Sequence, residues 1–234
     1  MSRATVGEAG APWIDFGMNF EQARSNMIEQ QIRTWEVLDQ RVLDLLASVP
    51  REDFVPPRYR SLAFSDTNVP LGFGEVMMAP KVEARMLQVL AVEPDDRILE
   101  IGTGSGYVTA LLARSGREVR TVEIHPELSA GAKVRVSQQG LDNVRFEVGN
   151  GLERPATEGS YDVIAVTGSL PVYTDHFEKR LAVCGRVFLI VGGAPVMEAM
   201  LVTRVGAREL AREGLFETGL PPLRGAPTPK RFVF

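Results

Sequence analysis

The sequence predicts an α/β fold: a mostly parallel sheet with helices on both faces, a helical extension at its N-terminal end and antiparallel strands at its C-terminal end. Three observations predict it. From Lys81 onward, short β-branched runs alternate with helical stretches of about ten residues, which is how βα units on a parallel sheet read in sequence. The run RILEI passes directly into a turn with glycine at positions 102, 104 and 106. MEAMLVTRVG and LFETGLPPL then follow one another with no helical stretch between them, so the last strands pair antiparallel.

Residues 1–17 are rich in Gly, Ala and Pro and lack periodicity, which predicts a loose terminal arm. Residues 18–80 read as a helical extension and a covering loop. FEQARSNMIEQQIR sets Phe20, Ala23, Met27, Ile28 and Ile32 on one helical face, and VLDQRVLDLLASV does the same with Val37, Leu38, Val42, Leu45 and Leu46 until Pro50 stops it. From Pro50 to Pro80 the text is rich in Pro and Gly without a period. Long loops inside compact domains are disproportionately lids or binding segments. Residues 81–234 form the sheet unit: helix VEARMLQVLAV, strand RILEI, helix YVTALLARS, strand VRTVEI, helix PELSAGAKVRVSQQ, strand VRFEV, strand YDVIAVTG, helix DHFEKRL and strand GRVFLIVGG.

Composition narrows the function classes. With 234 residues, 44% hydrophobic and 24% charged, the chain can bury an ordinary globular core. A net charge of −4, with no basic run longer than two residues, argues against nucleic acid as a partner. The single cysteine, Cys184, cannot form an intrachain disulfide. The first residues lack an apolar signal core, and no stretch is long enough to span a bilayer, which excludes a membrane partner and predicts a cytoplasmic protein. His125 and His176 lie far apart outside any metal-ligand spacing, so each reads as a solvated histidine and no metal is assigned. Nothing in the sequence specifies an oligomeric state.

The chemistry concentrates in RILEIGTGSGY. Glu100 precedes Gly102, Thr103, Gly104 and Gly106, and alternate glycines leave the backbone open to a ligand where a Cβ would obstruct it. In an open α/β sheet this first turn lies at the ligand crevice. Dinucleotide folds use G-x-G-x-x-G to cradle a diphosphate. The spacing here is E-x-G-x-G-x-G, and an acidic residue ahead of the glycines suits the amino group or sulfonium of S-adenosylmethionine. Glu123, with Ile124 beside it, ends the next strand, where a carboxylate can accept from both ribose hydroxyls. Asn150 and Gly151 follow the third strand at the place expected for the adenine.

The segments VPREDFVP, AFSDTNVPLGFGE, APKVEA, LEIGTGSGYVTALLA and NVRFEVGNG, in this order and spacing, resemble the protein-L-isoaspartate O-methyltransferases from about Asn26 to the end. The resemblance implies a Rossmann-like, class I S-adenosylmethionine-dependent methyltransferase that methylates the stray carboxylate of isoaspartyl residues in damaged peptides or proteins, which starts their return to aspartate. It carries over the cofactor residues Glu100, Gly102, Gly104, Gly106, Glu123, Asn150 and Gly151. The chain departs from the family pattern at two places. Over the acceptor pocket the family writes Gly-Gln-Thr-Ile-Ser-Ala-Pro-His, and this chain has Gly74-Glu75-Val76-Met77-Met78-Ala79-Pro80-Lys81, with Met78 in place of the serine. Asn150 replaces an acidic residue, but its side-chain oxygen can still accept from an adenine amino group.

Three residues are expected at the chemistry itself. Glu100 would orient the cofactor, Met78 would fill the acceptor side, and Lys81 would bring a positive charge to the acceptor carboxylate. Two alternatives stay open: the same fold with a different acceptor, and a cofactor-binding protein without turnover.

Overall fold

The computed structural model describes residues 19–153 and 160–229; the arm expected over residues 1–17 lies outside them. The chain enters helix α1 (Phe20–Met27), capped by the Asn19 side chain accepting from Gln22 N at 3.0 Å. The predicted helix over 20–33 is one continuous helical run, but its second half loosens into a π-turn at Ile28–Ile32 and tightens into a 3₁₀ turn at Arg33–Trp35. Helix α2 (Gln40–Ser48) begins later than its apolar pattern suggested, because Asp39 caps it by accepting from Arg41 N. Val37 and Leu38 therefore precede the helix. Val37 is buried, while Leu38 is exposed and leaves the expected apolar face.

The aperiodic stretch 50–80 is built of short elements. Two 3₁₀ turns, Arg51–Asp53 and Pro57–Leu62, lead into a hairpin of β1 (Val69–Gly72) and β2 (Glu75–Met77), and Pro80 opens α3 (Pro80–Leu90). Then come β3 (Arg97–Ile101), α4 (Tyr107–Ser115), β4 (Glu118–Glu123), α5 (Pro126–Gln138), β5 (Val144–Val148) and β6 (Tyr161–Leu170). The chain closes its sheet with β7 (Leu181–Gly193), β8 (Val196–Arg204) and β9 (Leu210–Thr218).

The seven-stranded sheet runs β5-β4-β3-β6-β7-β8-β9. β5 through β7 are parallel and β7 through β9 antiparallel, so the two strands read without a helix between them form the expected antiparallel end. The order reverses at β3. The chain steps outward to β4 and β5, then crosses back to place β6 on the other side of β3. That reversal creates a crevice at the carboxyl ends of β3 and β6.

Both sheet faces are buried, but they are covered differently. Ile98, Val163, Ala165 and Phe188 pack in one cluster with residues of all the numbered helices, including Met27, Leu46, Met86, Leu111 and Val136. Leu99, Ile101, Val122, Ile164 and Leu189 face a second cluster closed by Phe177, Tyr173, Leu223 and Ala226. The helix expected over 175–181 is only a 3₁₀ turn, Glu178–Arg180, so loops cover this face among the described residues. DHFEKRL is short, and a nucleus of one turn is marginal without a longer apolar stripe.

Candidate active site

A cleft opens at the reversal of strand order, enclosing about 780 Å³ when the solvent at its open mouth is included. Its floor is the turn after β3, where Gly102, Gly104 and Gly106 all have positive φ. At Gly102 (φ 95°) a Cβ would meet Oγ1 of Thr167 at 2.4 Å, so the position is closed to side chains by conformation and by space. Thr167, the β6 residue just beyond the last pair with β3, donates to the carbonyls of Ile101 and Gly102 at 3.0 and 2.6 Å, which ties the turn to the neighbouring strand.

The end of β4 holds two loops at once. Val122 O accepts from Gly102 N and Glu123 O accepts from Gly149 N, each at 2.8 Å. The Glu123 carboxylate faces the cleft with Oε2 accepting from Gly104 N at 2.8 Å and Oε1 from His125 N at 3.0 Å. Each oxygen keeps a lone pair for a ligand hydroxyl. Beside it lie Ile124, Asn150, Gly151 and Leu152. Asn150 Oδ1 accepts from Leu152 N at 3.0 Å, and its amide donates to Glu153 at 2.9 Å. His176 Nε2 lies 3.2 Å from Gly151 O, and burial holds its imidazole below the ordinary range.

The opposite wall comes from the hairpin and α3: Glu75, Val76, Met77, Met78 and Glu83. Beneath it Arg51, fully buried, spends every donor group. It pairs with Glu83 Oε2, donates from Nε to Ala63 O and from Nη2 to Met78 O at 2.7 Å each, and lies 4.9 Å over the Tyr107 ring. The rim is closed by Glu75, whose Oε1 accepts from Arg224 Nε at 3.0 Å and stands 3.3 Å from His125 Nε2, while Phe73 stacks on that imidazole. Residues 220–223 are pinned along β6 through Ser169, which bonds the backbone of Leu220, Pro221 and Leu223.

The structure gathers Met78, Gly102, Thr103, Gly104, Glu123, Ile124, Asn150 and Gly151 around this cleft. Three sequence-predicted residues do not join them. Glu100 faces the helical side of β3, where Oε2 accepts from Thr109 and Thr121 at 2.5 and 2.6 Å; burial pushes its carboxyl up to about 8. It braces α4 against β4 and does not line the cleft, so it presents no carboxylate to the ligand there, contrary to the expectation from sequence. Side chains alternate across a strand, and Glu100 shares the face of Ile98. Gly106 packs at the start of α4, where a Cβ would meet Ala132 Cβ at 2.9 Å; its role is helix contact. Lys81 turns outward, pairing with Asp66 at 2.7 Å and standing 4.1 Å from the Trp35 ring, and does not line the cleft. The two histidines read as solvated are half-buried contacts of the site's rim and of the Asn150–Leu152 loop.

Sequence reasoning missed Thr167, Glu83 and Pro221–Arg224. Thr167 was within reach, since it lies near the carboxyl end of the strand read as YDVIAVTG, which flanks the reversal. Glu83 sits two residues beyond Lys81 in α3, and its helical position alone decides that it points inward. Nothing local marks the C-terminal segment as a site wall.

The model of the protein-L-isoaspartate(D-aspartate) O-methyltransferase family matches residues 22–213. The chain belongs to this family. Two protein-L-isoaspartate O-methyltransferases are similar along most of their length: that of Koribacter versatilis, 36% identical over 206 residues, covers 88% of this chain and 92% of its own. That of Roseiflexus castenholzii, 37% identical over 208 residues, covers 89% and 94%. A Plasmodium falciparum crystal structure described as an enzyme of this kind in complex with S-adenosyl-L-homocysteine superposes with a TM-score of 0.75 at 19% identity, over 88% of this chain and 98% of its own; it shares the fold. As a family member the chain is an O-methyltransferase with S-adenosylmethionine as its cofactor.

Proposed function

We propose that the cleft O-methylates the stray carboxylate of isoaspartyl residues in proteins, with S-adenosylmethionine as the methyl donor. The observation that carries the reading is the joining, in one cleft, of the Gly102–Gly104 turn and the Glu123 carboxylate with a largely apolar wall from residues 76–78. The donor set fits the cofactor: a backbone turn free of Cβ atoms, a carboxylate with a lone pair on each oxygen, and the Asn150–Leu152 loop. Gly102, Thr103, Gly104, Glu123, Ile124, Asn150 and Gly151 would hold it. When bound, the cofactor supplies a methyl group on a sulfonium, an electrophile that needs only a placed nucleophile.

The acceptor carboxylate is ionised at neutral pH, since its ordinary pKa is about 4, and no residue of the chain has to remove a proton. The residues act by placement. Holding nucleophile and methyl group in near-attack geometry is worth roughly 7–11 kcal/mol. Val76, Met77, Met78 and Val108 exclude water from that encounter. The labour divides largely along the chain: residues 18–80 bring most of the acceptor wall, and residues 81–234 bring the cofactor side together with Glu83 and Val108 of that wall. Glu100 supports the turn from behind. The substrate is then a damaged cytoplasmic protein; the net charge of −4 fits neither nucleic acid nor an anionic membrane. Among the described residues no helix is long and apolar enough to cross a membrane.

The test is transfer of labelled methyl to an isoaspartyl peptide beside its normal-aspartyl twin, with Met78→Ser in parallel. Label on the isoaspartyl peptide alone supports the proposal. Cofactor binding with no label on either peptide, in both proteins, overturns it and points to another acceptor or a binding role.

A further inference from the structure

Three acidic side chains line the cleft, Glu75, Glu83 and Glu123, and among its described lining residues one cation does, Arg224. Arg51 lies behind the wall and is committed to Glu83. An ionised acceptor brings a further negative charge into this space, and it needs donors that replace the water it loses. The acceptor wall of Val76, Met77 and Met78 has no donor side chain. Elsewhere the Thr103 hydroxyl is engaged with Thr121 at 2.6 Å, and that of Thr167 donates to backbone carbonyls. Ser105 Oγ accepts from Tyr107 N and keeps its own hydrogen to give, and the Asn150 amide donates to Glu153, but both residues belong to the loops of the cofactor side.

Arg224 is built into its place. Its Nε donates to Glu75 Oε1 at 3.0 Å and its Nη2 to Phe73 O at 2.5 Å, so the guanidinium lies against the turn of the β1–β2 hairpin. Gly74, with φ 85°, leaves room for it, since a Cβ there would stand 3.1 Å from Nη2. The residues before Arg224 are held along β6 by Ser169. A guanidinium offers five N–H groups in a fixed fork, and two of them are used here. Nη1 has no partner among the described residues, and the side chain is 53% exposed at the cleft's rim.

We propose that Arg224 is an acceptor-binding residue: the free Nη1 edge of its guanidinium takes the carboxylate that receives the methyl group. The inference rests on the methyl-transfer reading above and names the group that recognises its acceptor. Glu75 holds the fork at the rim, and it stands three residues before Met78, in the stretch where the chain departs from the family pattern. A charged fork from the C-terminal segment thus supplies the donor that the wall lacks at Met78. Lys81, the cation expected here, is committed to Asp66 outside the cleft. In the transfer a carboxylate oxygen bonds to the methyl carbon as the carbon–sulfur bond breaks, the electron pair of that bond stays on sulfur, and no proton moves. The ester that results carries no charge, so the guanidinium holds the acceptor more tightly than the methylated product.

The test is calorimetry of peptide binding to the full chain and to Arg224→Met, with S-adenosylhomocysteine present so that no methyl group is transferred. One ligand is an end-blocked isoaspartyl peptide whose only carboxylate is the accepting one, and the other is its twin with a carboxamide in that position. The unaltered protein should prefer the carboxylate by at least about tenfold. Arg224→Met should reduce the preference to within about twofold, because the variant removes the charge that distinguishes the two peptides. No preference in the unaltered protein overturns the inference. A preference that survives in Arg224→Met also overturns it, including the case where both peptides lose affinity equally, which would show that Arg224 only fastens the hairpin. Transfer of labelled methyl to the same peptide by the unaltered protein separates the two readings. No transfer overturns the reading of the site and the inference with it, whereas transfer together with a preference that Arg224→Met leaves in place overturns the inference alone.

Discussion

Gly102 and Thr167 touch across the seam between β3 and β6: a Cβ on the glycine would stand 2.4 Å from the threonine hydroxyl that donates to the Gly102 carbonyl. Because φ is also 95° there, Gly102→Ala must move the turn or break that bond. S-adenosylmethionine affinity should drop at least about tenfold, or 1.4 kcal/mol, read by calorimetric titration. Thr167→Ser keeps the hydroxyl and should bind within about threefold of the unaltered protein, less than 1 kcal/mol. Equal affinity in all three proteins would remove this seam from the binding site.

Glu123 makes a second prediction. Its two oxygens accept from the amides of Gly104 and His125. In Glu123→Gln one of those N–H groups faces an NH₂ instead of an oxygen, leaving a donor unpaired at a cost of about 1–3 kcal/mol. Cofactor affinity should fall by roughly tenfold to a hundredfold. A dissociation constant that does not move would mean that the carboxylate is dispensable to the ligand.

Lys81 predicts a small effect where the sequence suggested a large one. Its ammonium is shared between Asp66 and the Trp35 ring. Lys81→Ala should change kcat/KM for an isoaspartyl peptide by less than about threefold and cost about 0.5–1 kcal/mol in urea unfolding. A tenfold rise in peptide KM with stability intact would return Lys81 to the acceptor site.

Glu100 gives a pH signature in stability. Burial pushes its carboxyl up to about 8 from an ordinary 4.5. Between these values the folded protein holds a proton that the unfolded chain releases. The group's stabilising contribution is thus complete below about pH 4.5 and is lost as pH rises toward 8, at about 1.4 kcal/mol per pH unit. Glu100→Gln removes that loss, so its stability relative to the parent should increase from pH 5 to pH 8 in urea unfolding. A difference that is the same at both ends would mean that Glu100 is ionised in the fold. Glu83 contributes a similar slope to both proteins and cancels in the comparison.

The alternation of short strands and helices over 97–148 was legible to within a residue or two because each βα unit closes locally. Strand β-branching, helical spacing and caps such as Pro126 are read over ten residues or so. The glycine turn was legible because positive φ selects the residue type directly. Stretches 50–80 and 171–180 were not, since 3₁₀ turns and a three-residue strand have no period to detect. The 20–35 helix was visible, but its π-turn was not: the shift to a wider register leaves the apolar spacing almost unchanged.

By its own text the sequence determined the fold class, the antiparallel end of the sheet, the glycine turn, the Glu123 strand end and the family to which the chain belongs. Those features are written in spacing and residue type within contiguous segments. Only the tertiary structure decided which acidic groups and cations face the cleft. Glu100 turns under α4, Lys81 turns out to Asp66, and Glu83 turns inward beside Arg51. The physical reason is that strand alternation and helical phase assign a side chain to a face, while the partner waiting there comes from segments many residues away. Arg51 is 32 positions from Glu83, and the Pro221–Arg224 wall is more than a hundred from the turn it covers.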